Sequence, residues 1–303
     1  MKMKSIEKKS PIKIVSTVLI VIIMTILFAY CISLIFPLIW TVLTSFKGYD
    51  EYYLQPFGFP EKFLWENYVK VFDRLTITVT KNNGAMATYG IFEMFYYSIL
   101  FSVGYSVFFT GVTALVSYVM ARYDFPGKTF LFNLGIVIMI LPIVGSGTSM
   151  MTLYRQFGVY NNMLLFILVG PTTAFSGTNF LLLYNTFKNL PASYSEAAYI
   201  DGAGEWNILT EIMFPMALPT MAALGVMGFI SAWNSYATFL IWLPGYASLA
   251  YGMYNFQYYA PLYETTMPEI LAGYVIVMVP TCVLYVFAQK LVMSKLTVGG
   301  LKG

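Results

Sequence analysis

Long uncharged stretches alternate with short polar ones along the whole of this chain. Six of them, at about 14–38, 95–121, 129–150, 163–184, 216–240 and 270–291, hold no Asp, Glu, Lys or Arg in their interiors. An α-helix of about 20 apolar residues crosses the ~30 Å hydrocarbon core of a bilayer. The pattern therefore predicts an all-α, polytopic membrane protein with six transmembrane helices. The first stretch runs without a charge from Ile14 to Ser45 and is expected to be extended or kinked at Pro37. It is too long for the core of a signal peptide, and no small-x-small cleavage site follows it, so it reads as an uncleaved helix. The third contains Pro142 and the flexible Gly145-Ser146-Gly147.

The polar intervals give the topology. Residues 47–93 carry eleven charged side chains, from Lys47 to Glu93, and a turn signal at Asn82-Asn83-Gly84, which predicts an extramembrane loop with room for short helices of its own. With the N-terminus inside, Lys2, Lys4, Lys8, Lys9, Lys13, Arg122, Lys128, Lys188, Lys290, Lys295 and Lys302 are cytoplasmic, eleven of the 17 basic residues. Lys47, Lys62, Lys70, Arg74 and Lys81 fall in the long outer loop, and Arg155 alone lies in a short one. Short loops decide orientation, because long ones translocate largely regardless of charge. Both termini are thus expected inside, as tails at 1–13 and 293–303 flanking a transmembrane domain at 14–292. The interval 188–215 is inside and the tyrosine-rich interval 241–269 outside.

Composition agrees and narrows the chemistry. Of 303 residues, 58% are hydrophobic and 10% charged, against about 25% charged in soluble domains. The absence of His removes the commonest metal ligand and general base. Cys31 and Cys282 lie in apolar runs and are expected as core residues. Gly127-Lys128-Thr129 resembles the end of a phosphate-binding loop, but the position five residues before Gly127 is Arg122 where that loop needs glycine. Ion-coupled carriers place ionisable groups at mid-membrane. Their absence from these spans points to transport energy that arrives from outside the bilayer.

One interval concentrates charge, small residues and a tight-turn glycine: residues 196–219, EAAYIDGAGEWNILTEIMFPMALP. Ser193 and Glu196 have the spacing of a capping box behind Pro191, and Gly202 suits a helix C-cap. A second short helix is expected over Trp206 to Phe214, ending near Pro215 and Pro219. Helix, glycine corner and helix make a knob. The spacing of Glu196-Ala197-Ala198, Gly202, Ile212 and Pro215 resembles the EAA loop of ABC-importer permeases, and Asp201-Gly202-Ala203 is similar to its carbohydrate-uptake, maltose-type branch. Ala121-Arg122-Tyr123, Leu190-Pro191, Trp233-Asn234 and the tail Gly299-Gly300-Leu301-Lys302-Gly303 extend the resemblance from about Ile14 to Gly303. Tyr97-Ser98, where the family often has Asn-Ser, and the long 47–93 loop depart from it.

The resemblance implies a non-catalytic subunit that pairs with a second homologous permease and an ABC ATPase dimer, fed by an extracellular solute-binding protein. It implies that ATP and Mg are held by the ATPase, with no cofactor on this chain, and that Glu196, Ala197, Ala198, Asp201, Gly202 and Ala203 form the coupling surface. For the cargo, aromatic and amide groups at membrane depth suit a sugar. Trp233, Asn234 and Tyr236 in the fifth span, and Asn179 in the fourth, are the candidate pathway residues, with helix packing as the competing reading. The tyrosines of 243–268 read as an interface belt, a docking loop for the binding protein, or both. Non-sugar cargo (a peptide, amino acid or phosphate ester) and a six-span receptor or scaffold are the alternatives.

Overall fold

The computed structural model describes residues 11–141, 145–170 and 174–296. Residues 1–10 and 297–303 of the expected tails at 1–13 and 293–303, and Pro142, lie outside the described residues. The chain forms two compact units, one ending at Val71 and including Glu264–Val275, the other made of Phe72–Tyr263 and the residues from Ile276 onward.

In the first unit, α1 (Pro11–Thr44) carries Pro37 inside an unbroken helix. None of its most apolar 18-residue window is buried within the protein. Such a surface belongs in lipid or against another apolar helix. Cys31 is exposed on it rather than in a core. Beyond α1 the chain folds back through α2 (Tyr49–Leu54) and the start of α3 (Glu66–Arg74). Phe46 is held edge-on by Phe63 and Trp65 and tilted against Tyr68. The Asn67 amide donates to the carbonyls of Ser45 and Lys47 at 2.8 and 2.9 Å. Lys47, wholly buried, donates from Nζ to the Gln55 carbonyl. Lys70 pairs with Glu66 and with the buried Glu269 at the start of α14 (Met267–Leu296).

The second unit is built on α4 (Ile91–Arg122). Its buried face carries Ser98, Ser102, Ser106, Thr110, Thr113 and Ser117, spaced three or four residues apart. That stripe of small side chains lets other helices approach closely. A side chain at Gly228 would touch Ser106, and one at Gly225 would approach Thr110. At either end of the stripe, Ser98 Oγ accepts from the Leu249 amide at 2.8 Å and Ser117 Oγ donates to the Phe180 carbonyl at 3.2 Å.

Three expected spans are corrected. The third is α5 (Lys128–Ile140) and α6 (Ser146–Gln156), with Gly145 in the left-handed region at φ 86°. The fourth is α7 (Met163–Val169) and α8 (Thr178–Asn189), with Gly177 at φ 93°. The fifth runs from Glu205 through α10 (Glu205–Asn207), a π-helical turn (Ile208–Met213) and α11 (Phe214–Trp233), then breaks at Asn234-Ser235 before α12 (Tyr236–Ile241). The prolines therefore do not end the helix. Pro215 has no amide to give the carbonyl four residues back, and its ring crowds that carbonyl. The wider π turn, closed by Phe214 N–H to the Leu209 carbonyl, takes up the misfit. Among the described residues, the helical stretches Thr17–Thr44, Ile91–Arg122, Glu205–Trp233 and Met267–Phe287 are long and apolar enough to cross a membrane. The chain from α14 onward stays helical to Leu296, so the expected tail from 293 starts within helix. Cys282, on α14, is exposed like Cys31.

The 47–93 interval holds the expected short helices and, beyond the all-α expectation, one antiparallel hairpin. β1 (Ile77–Thr80) pairs with β2 (Met86–Tyr89), Ile77 opposite Tyr89. Along β1, Ile77 and Val79 face in and Thr78 and Thr80 face out, the period of two expected of a strand with one covered face. Gly84 at φ 78° closes the turn predicted from Asn82-Asn83-Gly84.

Candidate functional site

The knob starts where Leu190, extended ahead of Pro191, ends α8. Helix α9 (Ser193–Ile200) follows. The expected capping box is absent. Ala192 already has helical dihedrals and its carbonyl accepts from the Glu196 amide at 3.0 Å, so Ser193 lies inside the helix and cannot cap it. The Glu196 carboxylate makes no hydrogen bond or ion pair among the described residues; Glu196 and Ala197 are exposed, while Ala198 is buried. The other end is a Schellman turn: the Ala203 amide donates to the Ala198 carbonyl at 2.9 Å and the Gly202 amide to the Tyr199 carbonyl at 3.0 Å. Gly202 sits at φ 79°, the conformation that turn needs and that a side chain disfavours.

Three anchors hold the knob to the helices. Ala198, Ile208, Leu209 and Met213 pack with Ala114 and Tyr118 of α4 and Leu183 and Phe187 of α8. Arg122, the last residue of α4, donates to the Leu190 carbonyl at 2.7 Å and lies against Met213 Sδ. Glu205 accepts hydrogen bonds from the hydroxyls of Tyr123 and Tyr199, the latter at 2.6 Å. The stretch Glu205–Trp233 is 29 residues long, roughly 44 Å at ~1.5 Å per residue, longer than a ~30 Å core; its only charged residues, Glu205 and Glu211, mark the end that lies outside that core. There the two hydroxyls hold the Glu205 carboxyl below its usual range. The same bond pushes Tyr199 up to about 12. Tyr123, desolvated first and then hydrogen-bonded to Glu205, keeps its proton well above the ordinary tyrosine range. The sequence reading passed over this clamp. Its only local sign is an acidic residue in the first turn after Gly204; the tyrosines come from two other segments.

What the knob leaves exposed is distinctive. Ile200 is 86% and Trp206 68% accessible, beside Glu196, Ala197, Asp201 and Gly202. From 189 to 289 the chain has no Lys or Arg, while Glu196, Asp201, Glu205 and Glu211 fall within sixteen residues of one another and are all exposed. The surface is therefore apolar and anionic. Of the six residues named for coupling, the structure brings Glu196, Ala197, Asp201 and Gly202 to one exposed corner, and turns Ala198 and half-buried Ala203 toward the body.

The candidate pathway residues are not gathered in this way. Trp233 is 1% exposed, its indole N–H donates to the Val277 carbonyl at 3.2 Å, and its ring packs on Phe95 and Phe229. This is the packing alternative. Asn234 is exposed, but its side-chain amide donates back to the Ile230 carbonyl at 2.8 Å in the last turn of α11. Tyr236 stacks on Tyr254 with centroids 4.5 Å apart and planes within 9°, and Tyr254 stacks in turn on Tyr258. Asn179 is half-buried near the start of α8.

Residues 113–298 match the family described as "Binding-protein-dependent transport system inner membrane component". The diacetylchitobiose uptake system permease protein NgcG of Streptomyces coelicolor is 26% identical over 280 residues, 90% of this chain and 86% of that one. The arabinooligosaccharides transport system permease protein AraQ of Halalkalibacterium halodurans is 27% identical over 274 residues, 89% of this chain and 91% of its own. Among solved structures, a bacterial ABC transporter involved in the import of the acidic polysaccharide alginate superposes with a TM-score of 0.65 at 20% identity, covering 90% of this chain and 96% of that one.

Proposed function

Because this chain belongs to the binding-protein-dependent transport system inner membrane component family, we propose that it is the permease half of an ABC importer that moves a carbohydrate, an oligosaccharide by preference, across the cytoplasmic membrane. The class of cargo follows the relatives, which are named for diacetylchitobiose and arabinooligosaccharides. The chain itself performs no catalysis. ATP and Mg belong to a partner ATPase dimer, a second homologous permease completes the pathway, and an external solute-binding protein delivers the sugar.

The observation that carries this reading is the knob between Leu190 and Met213. Glu196 is exposed and its carboxylate has no partner within the described chain, next to Ala197 and the exposed apolar Ile200 and Trp206. Such a surface suits a groove that is apolar at its floor and basic at its rim, the complement of exposed carboxylates beside exposed apolar side chains. Closure of the ATPase pair would push the knob, and the knob is fixed to α4 and α8 by Arg122, Glu205 and a packed apolar cluster. Movement of the corner is thus transmitted as rigid-body movement of helices.

Gly202→Pro tests the reading. Proline cannot adopt φ near 79° and has no amide for the Tyr199 carbonyl. The expected outcome is insertion at normal levels, sugar uptake lost, and ATP hydrolysis no longer stimulated by loaded binding protein. Uptake at the unsubstituted rate would remove the coupling role.

A further inference from the structure

Three segments that the charge pattern assigns to the outer face meet in the structure and enclose a cavity of about 390 Å³. They are the tip of the β1–β2 hairpin, the turn between α6 and α7, and the turn after α12. Asn161 fastens them. It is 5% exposed and held at φ 56°, a conformation unusual for a residue with a side chain. Its side-chain amide donates to Asn82 Oδ1, its Oδ1 accepts from the Gly245 amide at 2.6 Å, its carbonyl accepts from Asn82 Nδ2 at 3.0 Å, and its own amide donates to the Trp242 carbonyl at 2.8 Å. A β-carbon at Gly245 would lie 2.7 Å from the Asn161 amide, so only glycine permits the contact.

This latch joins segments 79 and 84 residues apart in sequence, and it frames a wall of aromatic rings. Tyr97 sits edge-to-face with Tyr89 at 5.3 Å and with Tyr246 at 5.4 Å. The rim is polar: Lys81, with Nζ over the Tyr89 ring, and Asn83 at the hairpin tip. Pockets that take small molecules span ~300–1,000 Å³ and combine an aromatic lining with a few convergent polar groups. Tyrosine faces meet the C–H face of a pyranose, and amide and ammonium groups meet its hydroxyls. We propose that this latched cavity is a saccharide-binding site on the outer side of the permease, which takes one sugar unit against Tyr246 and Tyr97 with its hydroxyls on Lys81 and Asn83. The proposal rests on the carbohydrate-import reading for the class of ligand and on the cavity itself for the site. Its use would be to hold a chain end released by the binding protein at the mouth of the pathway.

The test uses the assembled importer in lipid nanodiscs without its binding protein, with diacetylchitobiose, arabinotriose and maltotriose as probes and ligand-observed saturation-transfer NMR as readout. At least one probe is expected to bind, about tenfold more weakly in Tyr246→Leu and severalfold more weakly in the double variant Lys81→Gln, Asn83→Ala. Asn83 Oδ1 also accepts from the Ala85 amide at 3.1 Å within the turn, so Lys81→Gln alone, a change at an exposed residue, is measured beside the double variant and stays decisive if the other changes disturb folding. No binding by any probe, or wild-type affinity in the double variant, would overturn the site. Uptake of the same sugar into proteoliposomes with the binding protein and ATP is measured in parallel. Uptake together with unchanged binding in the double variant overturns the site and leaves the transport reading intact. Binding that the variants weaken, with no uptake of any probe by the unsubstituted importer, supports the site and ends the transport reading.

Discussion

Glu205 shows how much a single residue can hold. Its two oxygens take the hydroxyls of Tyr123 and Tyr199, one from the end of α4 and one from α9, and so tie the knob to the principal helix. The pH dependence has two edges. The lowered carboxyl contributes stability that is present above the ordinary carboxylate range and lost as the pH falls through its lowered value. Tyr199, raised from 10.0 to about 12, contributes stability present below pH 10 and lost as the pH climbs toward 12. Glu205→Gln is expected to return the Tyr199 titration toward 10, read by fluorine NMR of fluorotyrosine placed at that position, and to reduce uptake without preventing insertion. An unchanged Tyr199 titration would show that the clamp does not form. Trp233→Phe is expected to lose about 0.5–1.5 kcal/mol for the hydrogen bond to Val277. Its sugar affinity should equal that of the unsubstituted protein, because the ring is buried among Phe95 and Phe229. A thermal melt and a binding titration on the same sample decide between packing and pathway.

At the scale of elements, four of the apolar runs overlap the helical stretches that are long and apolar enough to cross a membrane among the described residues, and the structure explains where the others are interrupted. Glycine at positive φ divides the third and fourth runs, at Gly145 and Gly177. A run of uncharged residues says nothing about backbone direction, so these breaks were hidden although the glycines were visible. Pro215 misled in the opposite sense: proline usually ends a helix, but here the π turn ahead of it lets the helix continue. The corner at Gly202 was legible because it depends on one residue and its neighbours. The Glu205 clamp and the Asn161 latch were not, because their partners lie far away in sequence. The Ser/Thr stripe of α4 has a period of three to four and was present in the sequence, masked by the uniform apolarity around it. Ser106→Leu would overfill the contact with Gly228 and is expected to cost about 1–3 kcal/mol. The melting temperature in detergent should fall accordingly, while an equally bulky change at exposed Val107, on another face of α4, leaves it unmoved.

At the scale of the whole molecule, charge counting and packing agree. The segments placed inside by their lysines and arginines are the ones joined by Arg122, Tyr123 and Glu205, and the segments placed outside are the ones joined by Asn161. This chain thus carries an exposed corner with Glu196, Ile200 and Trp206 among the segments placed inside, and an aromatic, amide-lined cavity among those placed outside. Because Glu196 and Asp201 are exposed on the corner and no Lys or Arg lies between 189 and 289 in the sequence, its proposed attachment to an ATPase is expected to weaken as salt rises, since screening shortens the reach of exposed charges to ~8 Å at physiological ionic strength. The most direct test of the account places a single cysteine at Ala197 in the complete importer and treats inside-out and right-side-out vesicles with a thiol crosslinker. A covalent adduct with the ATPase subunit is expected, formed in inside-out vesicles and lost when the ATPase is stripped away. Labelling of that cysteine from the external face, with no adduct to the ATPase, would contradict it.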